Sequence, residues 1–157
     1  MTVQIPTEDP RKDGFYMPGE WTHHDACWMA WPSRDGMWED LGATQKAYAN
    51  VANTIARFET VNVLTPQRHL DTARHLLGTN VNVIEALIDD SWARDSGPNI
   101  LINDDGGVAG SCWTFNAWGG KYHPFDQDAK NGRSYFRNDW NTELYITPYS
   151  GRRRHHG

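Results

Sequence analysis

Two cysteines, Cys27 and Cys112, are too few for a disulfide framework. They are read as small buried hydrophobes. No apolar run approaches membrane-spanning length, no basic amphipathic helix is present, and residues Met1 to Asp13 are too polar for a secretory signal. The default expectation is therefore a cytoplasmic protein without membrane contact. Excess positive charge is missing as well. The formal net charge is -5 and the pI about 5.7, which argues against nucleic acid as the main partner. No Gly-Lys-Ser/Thr follows either glycine pair, so there is no phosphate loop. His23, His24 and Cys27 fit no standard zinc spacing and read as the turn entering a strand, so no metal is expected. No sequence repeat is evident.

What is present is aromatic weight and a modest core. Of 157 residues, 38% are hydrophobic and eight are Trp. Indole faces attract planar cations as readily as they fill cores. The mean hydropathy of -0.73 is low for a compact globule and calls the completeness of the domain into question.

The periodicities alternate. Ala26 to Trp31 is a continuous apolar run ended by Pro32, as buried parallel strands are. Gly42 to Phe58 is the clearest helix, with Ala43, Ala47, Val51, Thr54, Ile55 and Phe58 expected on its buried face. Val61–Leu64 is the next strand. Thr65 as N-cap and Pro66 at the first position open a helix to about Leu77, stopped by Gly78. Val81–Ile84 is a strand. Asn99–Ile102 and Val108–Phe115, bracketing an Asp-Gly turn, form a hairpin. A Gly- and aromatic-rich loop runs from Asn116 to Phe125, a weak helix from Phe125 to about Asp139, and a last strand from Glu143 to Thr147. The order is α/β, and a β-β-α-β unit can begin at the hairpin.

The chain is organised around Asp89-Asp90-Ser91-Trp92-Ala93-Arg94-Asp95-Ser96-Gly97-Pro98. Gly97 and Pro98 turn the backbone just after its charges. A carboxylate binds a planar, five-donor guanidinium in bidentate fashion. An indole beside it adds cation–π attraction. Arg94 would offset part of the local negative charge. Two readings stand on the residues alone: a guanidinium cradle, or a solvated acidic turn in which Asp90 or Asp95 caps a backbone group. Trp113 to Tyr122 likewise reads as a pocket wall or a packed loop. The tail, Arg152-Arg153-Arg154-His155-His156, reads as a solvated terminus.

Three segments carry a resemblance. They are Met17-Pro18-Gly19-Glu20-Trp21 with Trp28-Met29-Ala30-Trp31-Pro32, then Asp90 to Pro98, then Phe115-Asn116-Ala117-Trp118-Gly119-Gly120-Lys121-Tyr122. In order and spacing they resemble the amino-terminal part of the agmatine deiminase family, kin to the bacterial peptidyl-arginine deiminases. The resemblance implies a pentein fold, a five-bladed propeller of β-β-α-β units, of which this chain would hold about two over residues 14–148. It implies hydrolysis of agmatine to N-carbamoylputrescine and ammonia, in putrescine biosynthesis, with no metal or organic cofactor. In the family a cysteine thiolate attacks the guanidinium carbon and a histidine serves as acid and base. By position, Asp95 matches the carboxylate that grips the guanidinium, and Trp92 lines the substrate. Asp89, Asp90, Arg94 and Trp118 are expected to back that grip. The family's downstream histidine and cysteine motifs do not occur here, and Cys27 and Cys112 match neither, so no catalytic residue is expected in the chain.

Residues 1–13 read as a polar leader and 149–157 as an aberrant basic tail. After Glu143 to Pro148 the family would read Ile-Leu-Glu-Gly-Gly-Gly-Ile, whereas Tyr149 to His155 differ. Codons exist for this heptapeptide whose +1 frame gives the family's reading, so a frameshift before Tyr149 is expected, leaving a truncated product. Besides a truncated hydrolase, a guanidinium-binding or interaction module, a peptidyl-arginine deiminase fragment and a gene remnant are open. An open propeller would expose sheet edges, so the isolated chain is expected to associate rather than persist as a monomer.

Overall fold

The computed structural model describes residues 9–130 and 143–147. It is a mixed α/β structure with two three-stranded sheets. In the first, β1 (Ala26–Ala30), β2 (Thr60–Thr65) and β3 (Val81–Glu85) run parallel with β2 in the centre. The continuous apolar sequence of β1 suits a strand with packing on both faces, while in β2 and β3 Asn62 and Asn82 pair with each other, Asn82 Nδ2 donating to Asn62 Oδ1 at 2.9 Å. Side chains alternate: Cys27, Met29, Val61, Val63, Val81 and Val83 turn to one core with α1 and α2. Trp28, Ala30, Leu64 and Ile84 turn to the other face, where Ala86, Ile88 and Ala93 cover them.

Helix α1 (Leu41–Ile55) begins where Asp40 accepts the Ala43 N–H at 2.8 Å. Its buried residues are Gln45, Ala49 and Ala52, not the face the apolar spacing predicts. Ala43, Ala47 and Val51 face solvent, and Phe58, beyond the helix, is 81% exposed. Small side chains let the helix lie close to the sheet, and Gln45 is admitted because its Nε2 donates to Pro32 O at 2.9 Å.

Thr65 is likewise not an N-cap. It ends β2, fully buried, and Pro66 leads into a 3₁₀ turn (Gln67–His69) before α2 (Leu70–Leu76). Beyond α2 the Asn53 side chain accepts the Gly78 N–H at 2.8 Å.

The hairpin forms as its turn residues predict, with β4 (Asn99–Ile102) antiparallel to β5 (Val108–Trp113). Beside β5 runs β6 (Glu143–Thr147), in parallel. Tyr16 bridges to Ile102 on the outer edge of β4, and Phe15 packs with Leu101 and Ala109. Phe15 and Tyr16 are thereby tied to the second sheet. Two short helical turns, α3 (Ala93–Ser96) and α4 (Ala117–Gly120), flank the hairpin. Most of the weak helix expected over 125–139, most of the leader and all of the basic tail lie outside the described residues. No helix among the described residues is long and apolar enough to cross a membrane.

Candidate active site

The parallel strands β1, β2 and β3 end together, and the chain leaving each end carries polar groups. This is the rim where open parallel sheets place ligand-binding loops. From β1 comes Arg34, from β2 His69, and from β3 the acidic stretch. Arg34 Nε lies 3.2 Å from Asp90 Oδ2, with both side chains largely buried. It also donates to Asp89 O and, through a second nitrogen, to Pro124 O. One guanidinium thus ties the β1 exit, the acidic stretch and the loop after α4. A buried carboxylate needs such a partner.

Asp89 and Asp128 clasp each other's backbones. Asp89 Oδ2 accepts the Gln127 N–H at 2.8 Å, and Asp128 Oδ1 accepts the Asp89 N–H at 2.9 Å. Burial pushes the Asp128 carboxyl up to about 6, against the pull of the Asp89 N–H; the charges of Asp89 and Asp90 add to the rise. His69 is held below its ordinary value by burial, and then by Arg68.

In front of this frame stands an aromatic wall. Trp92 is stacked on Trp38, with centroids 6.2 Å apart and planes at 25°. Trp118 meets Trp92 edge-on at 6.2 Å, Phe115 at 5.3 Å and Tyr122 at 5.7 Å. The Trp118 indole N–H donates to Asp95 Oδ1 at 3.3 Å. Asp95 is exposed and Trp92 is 41% exposed, so a carboxylate and two indoles border solvent together. Trp118 reaches that position through a left-handed backbone: Ala117 and Trp118 have φ of 50° and 54°, and Gly119 and Gly120 continue it. Non-glycine residues hold such angles only where surrounding structure imposes them. Here Asn116 accepts the Gly119 N–H at 3.0 Å, and Ala117 is buried.

Trp92, Asp95 and Trp118, all expected at the site, come together. Asp89 and Asp90 lie behind them as frame. Arg94 does not offset the acidic stretch: it points away, 3.7 Å from Glu20, both almost fully exposed. That work falls to Arg34. Sequence reasoning missed Arg34, Trp38 and Asp128. The polar residues after the β1 run were the only local signal for Arg34, and nothing local marked Asp128. Cys27 lies at the amino end of β1, about 15 Å of strand from this rim. Burial, and then Glu59, push its thiol up to about 11, unlike an activated nucleophile. Cys112 lies within β5.

Residues 16–146 match the Porphyromonas-type peptidyl-arginine deiminase family. The agmatine deiminase of Stutzerimonas stutzeri is 49% identical over 117 residues, covering 73% of this chain and 32% of that protein. That of Pseudomonas aeruginosa is 45% identical over 134 residues, covering 82% of this chain and 36% of that protein. Among solved structures, the agmatine deiminase of Enterococcus faecalis aligns with a TM-score of 0.80 at 38% identity, over 88% of this chain and 39% of that one. The chain therefore spans well under half the length of these relatives.

Proposed function

The chain belongs to the Porphyromonas-type peptidyl-arginine deiminase family, and from that premise we propose that its rim grips the guanidinium of agmatine for hydrolysis to N-carbamoylputrescine and ammonia. The observation that carries this is the exposed Asp95 carboxylate, hydrogen-bonded by Trp118 and bordered by Trp92. Asp95 Oδ2, which takes no bond from Trp118, accepts from the guanidinium, and the Trp92 face covers the planar cation. Asp89, Asp90, Arg34 and Asp128 hold the stretch rigid. The names of the relatives favour agmatine over a peptidyl arginine. Net reaction adds one water and releases one ammonia; the thiolate that adds to the guanidinium carbon and the histidine that moves protons are supplied by motifs these 157 residues do not include. The product feeds putrescine biosynthesis. In this reading the two sheets belong to a pentein-type propeller, about two units of five.

A second reading, a guanidinium-binding module without turnover, is favoured by the position and raised thiol of Cys27. Calorimetric titration with agmatine, beside an ammonia assay, tests both. Agmatine binding that is lost in Asp95→Ala is expected, tighter than binding of an arginine-containing peptide. Absence of binding, or binding unchanged in Asp95→Ala, overturns the guanidinium site. Ammonia release by the 157-residue chain overturns the assignment of turnover to residues outside it.

A further inference from the structure

The opposite end of the first sheet holds a cluster that the deiminase reading does not use. Pairing of Ala26 with Thr60 brings the entry of β1 beside the entry of β2. His24, Cys27 and Glu59 meet there, one ligand-type atom from each lying within 4.8 Å of the others. Cys27 Sγ is 3.2 Å from Glu59 Oε1, and His24 Nδ1 is 3.5 Å from Glu59 Oε2. These two distances run to different oxygens of Glu59. With one ligand atom from each residue the trio spans up to 4.8 Å, and ligands of a tetrahedral zinc stand about 3.3–3.8 Å apart, so a small closing movement brings the three to zinc spacing.

Three further observations point to an ion. Glu59 Oε2 is buried and accepts no hydrogen bond, its polar contact being the 3.5 Å approach of His24 Nδ1. His24 Nε2 lies 3.1 Å from Glu20 O. A metal-bound imidazole is held in this way, its second N–H given to a backbone carbonyl so that the other nitrogen is free to ligate. Beside the trio opens a cleft lined by His23, His24, Asp25, Phe58, Glu59 and Thr60, which leaves a fourth position open to solvent. Thiolate and imidazole select a borderline-soft ion over calcium or magnesium. In sequence, His24 and Cys27 alone fit no zinc pattern; the third ligand arrives only through strand pairing.

We propose that His24 Nδ1, Cys27 Sγ and the Glu59 carboxylate bind a zinc-type divalent transition ion, with its fourth position facing the cleft. Binding replaces the Cys27 proton, which leaves to solvent, and fastens the entry of β1 to that of β2.

Cobalt(II) titration of the metal-free 157-residue chain tests this. One cobalt per chain is expected, with thiolate-to-cobalt charge-transfer absorption that one equivalent of zinc removes. Cys27→Ser should abolish that absorption and Glu59→Gln should weaken binding, while Cys112→Ser and the double variant His155→Ala/His156→Ala should leave both intact. Absence of the charge-transfer band, its survival in Cys27→Ser, or its loss in Cys112→Ser or in the tail variant overturns the site. Should circular dichroism show that Cys27→Ser does not fold, Glu59→Gln and Cys112→Ser decide: a band kept in the second and weakened in the first supports the trio, and any other pair of results overturns it.

Discussion

The indole N–H of Trp118 donates to Asp95 Oδ1 across 3.3 Å, joining the left-handed turn after β5 to the short helix before β4. Both residues are exposed, so the bond does little for stability and much for where the carboxylate points. Trp118→Phe keeps an aromatic edge against Trp92 and removes the donor. A hydrogen bond to a charged acceptor contributes about 1.5–3 kcal/mol, and exposure lowers that here. Agmatine affinity should fall by roughly tenfold, which corresponds to about 1.4 kcal/mol, while the urea midpoint stays near wild type. Calorimetry paired with denaturation checks both.

Arg34 and Asp90 form the buried pair behind the wall. Removing one partner of a buried pair leaves an uncompensated charge, at about 3–5 kcal/mol. Arg34→Met should therefore be severely destabilising by urea denaturation, since it also vacates Asp89 O and Pro124 O. Asp90→Asn should cost less alone, and the double variant should cost less than the sum, because the stranded carboxylate is gone. Strict additivity would show that the pair is not coupled.

How much of this was legible in the sequence depended on range. Strand β1 announced itself as an apolar run without alternation, and β2 and β3 as short Val-rich stretches interrupted by Asn62 and Asn82, which bond each other across the strands. The hairpin was set by local turn chemistry. The buried face of α1 was misread because alanines do not declare a side and Gln45 looks like a surface residue until Pro32 O is found beside it. At the site, Asp95 and Trp92 lie in one short stretch and were visible. Arg34 is separated from Asp89 by 55 residues and Asp128 by 39, so no local pattern linked them. Arg94, adjacent in sequence, was the wrong cation: a helical turn aims it outward toward Glu20.

Asp128 sets a pH dependence with a definite sign. Its folded value of about 6 lies above the ordinary 3.8. A carboxyl raised on folding favours the protonated state, so its contribution is fully present below the unfolded value and is lost as pH rises through about 6. The shift corresponds to roughly 3 kcal/mol as an upper bound. Asp128→Asn retains an oxygen for the Asp89 N–H and removes the titration. Urea midpoints of the wild type should fall from pH 4 to pH 7 more steeply than those of the variant, and the variant should be the more stable at pH 8. Parallel pH profiles would refute this.

Gly119 isolates the contribution of the left-handed turn. Its φ is +85°, and a Cβ added there would meet nothing within 4 Å, so Gly119→Ala tests backbone strain without a clash. Gly106, in the hairpin, has φ of +79° and equally open surroundings. Both substitutions should therefore cost about 1–2 kcal/mol of stability by the same mechanism. They should differ at the site. Relaxing the turn at Gly119 shifts the neighbouring Trp118 and with it the donor to Asp95, whereas relaxing the hairpin leaves that bond alone. Agmatine affinity measured by calorimetry should drop in Gly119→Ala and hold in Gly106→Ala at matched stability. Equal affinities in the two would mean that the strained turn serves packing and has no part in aiming the carboxylate.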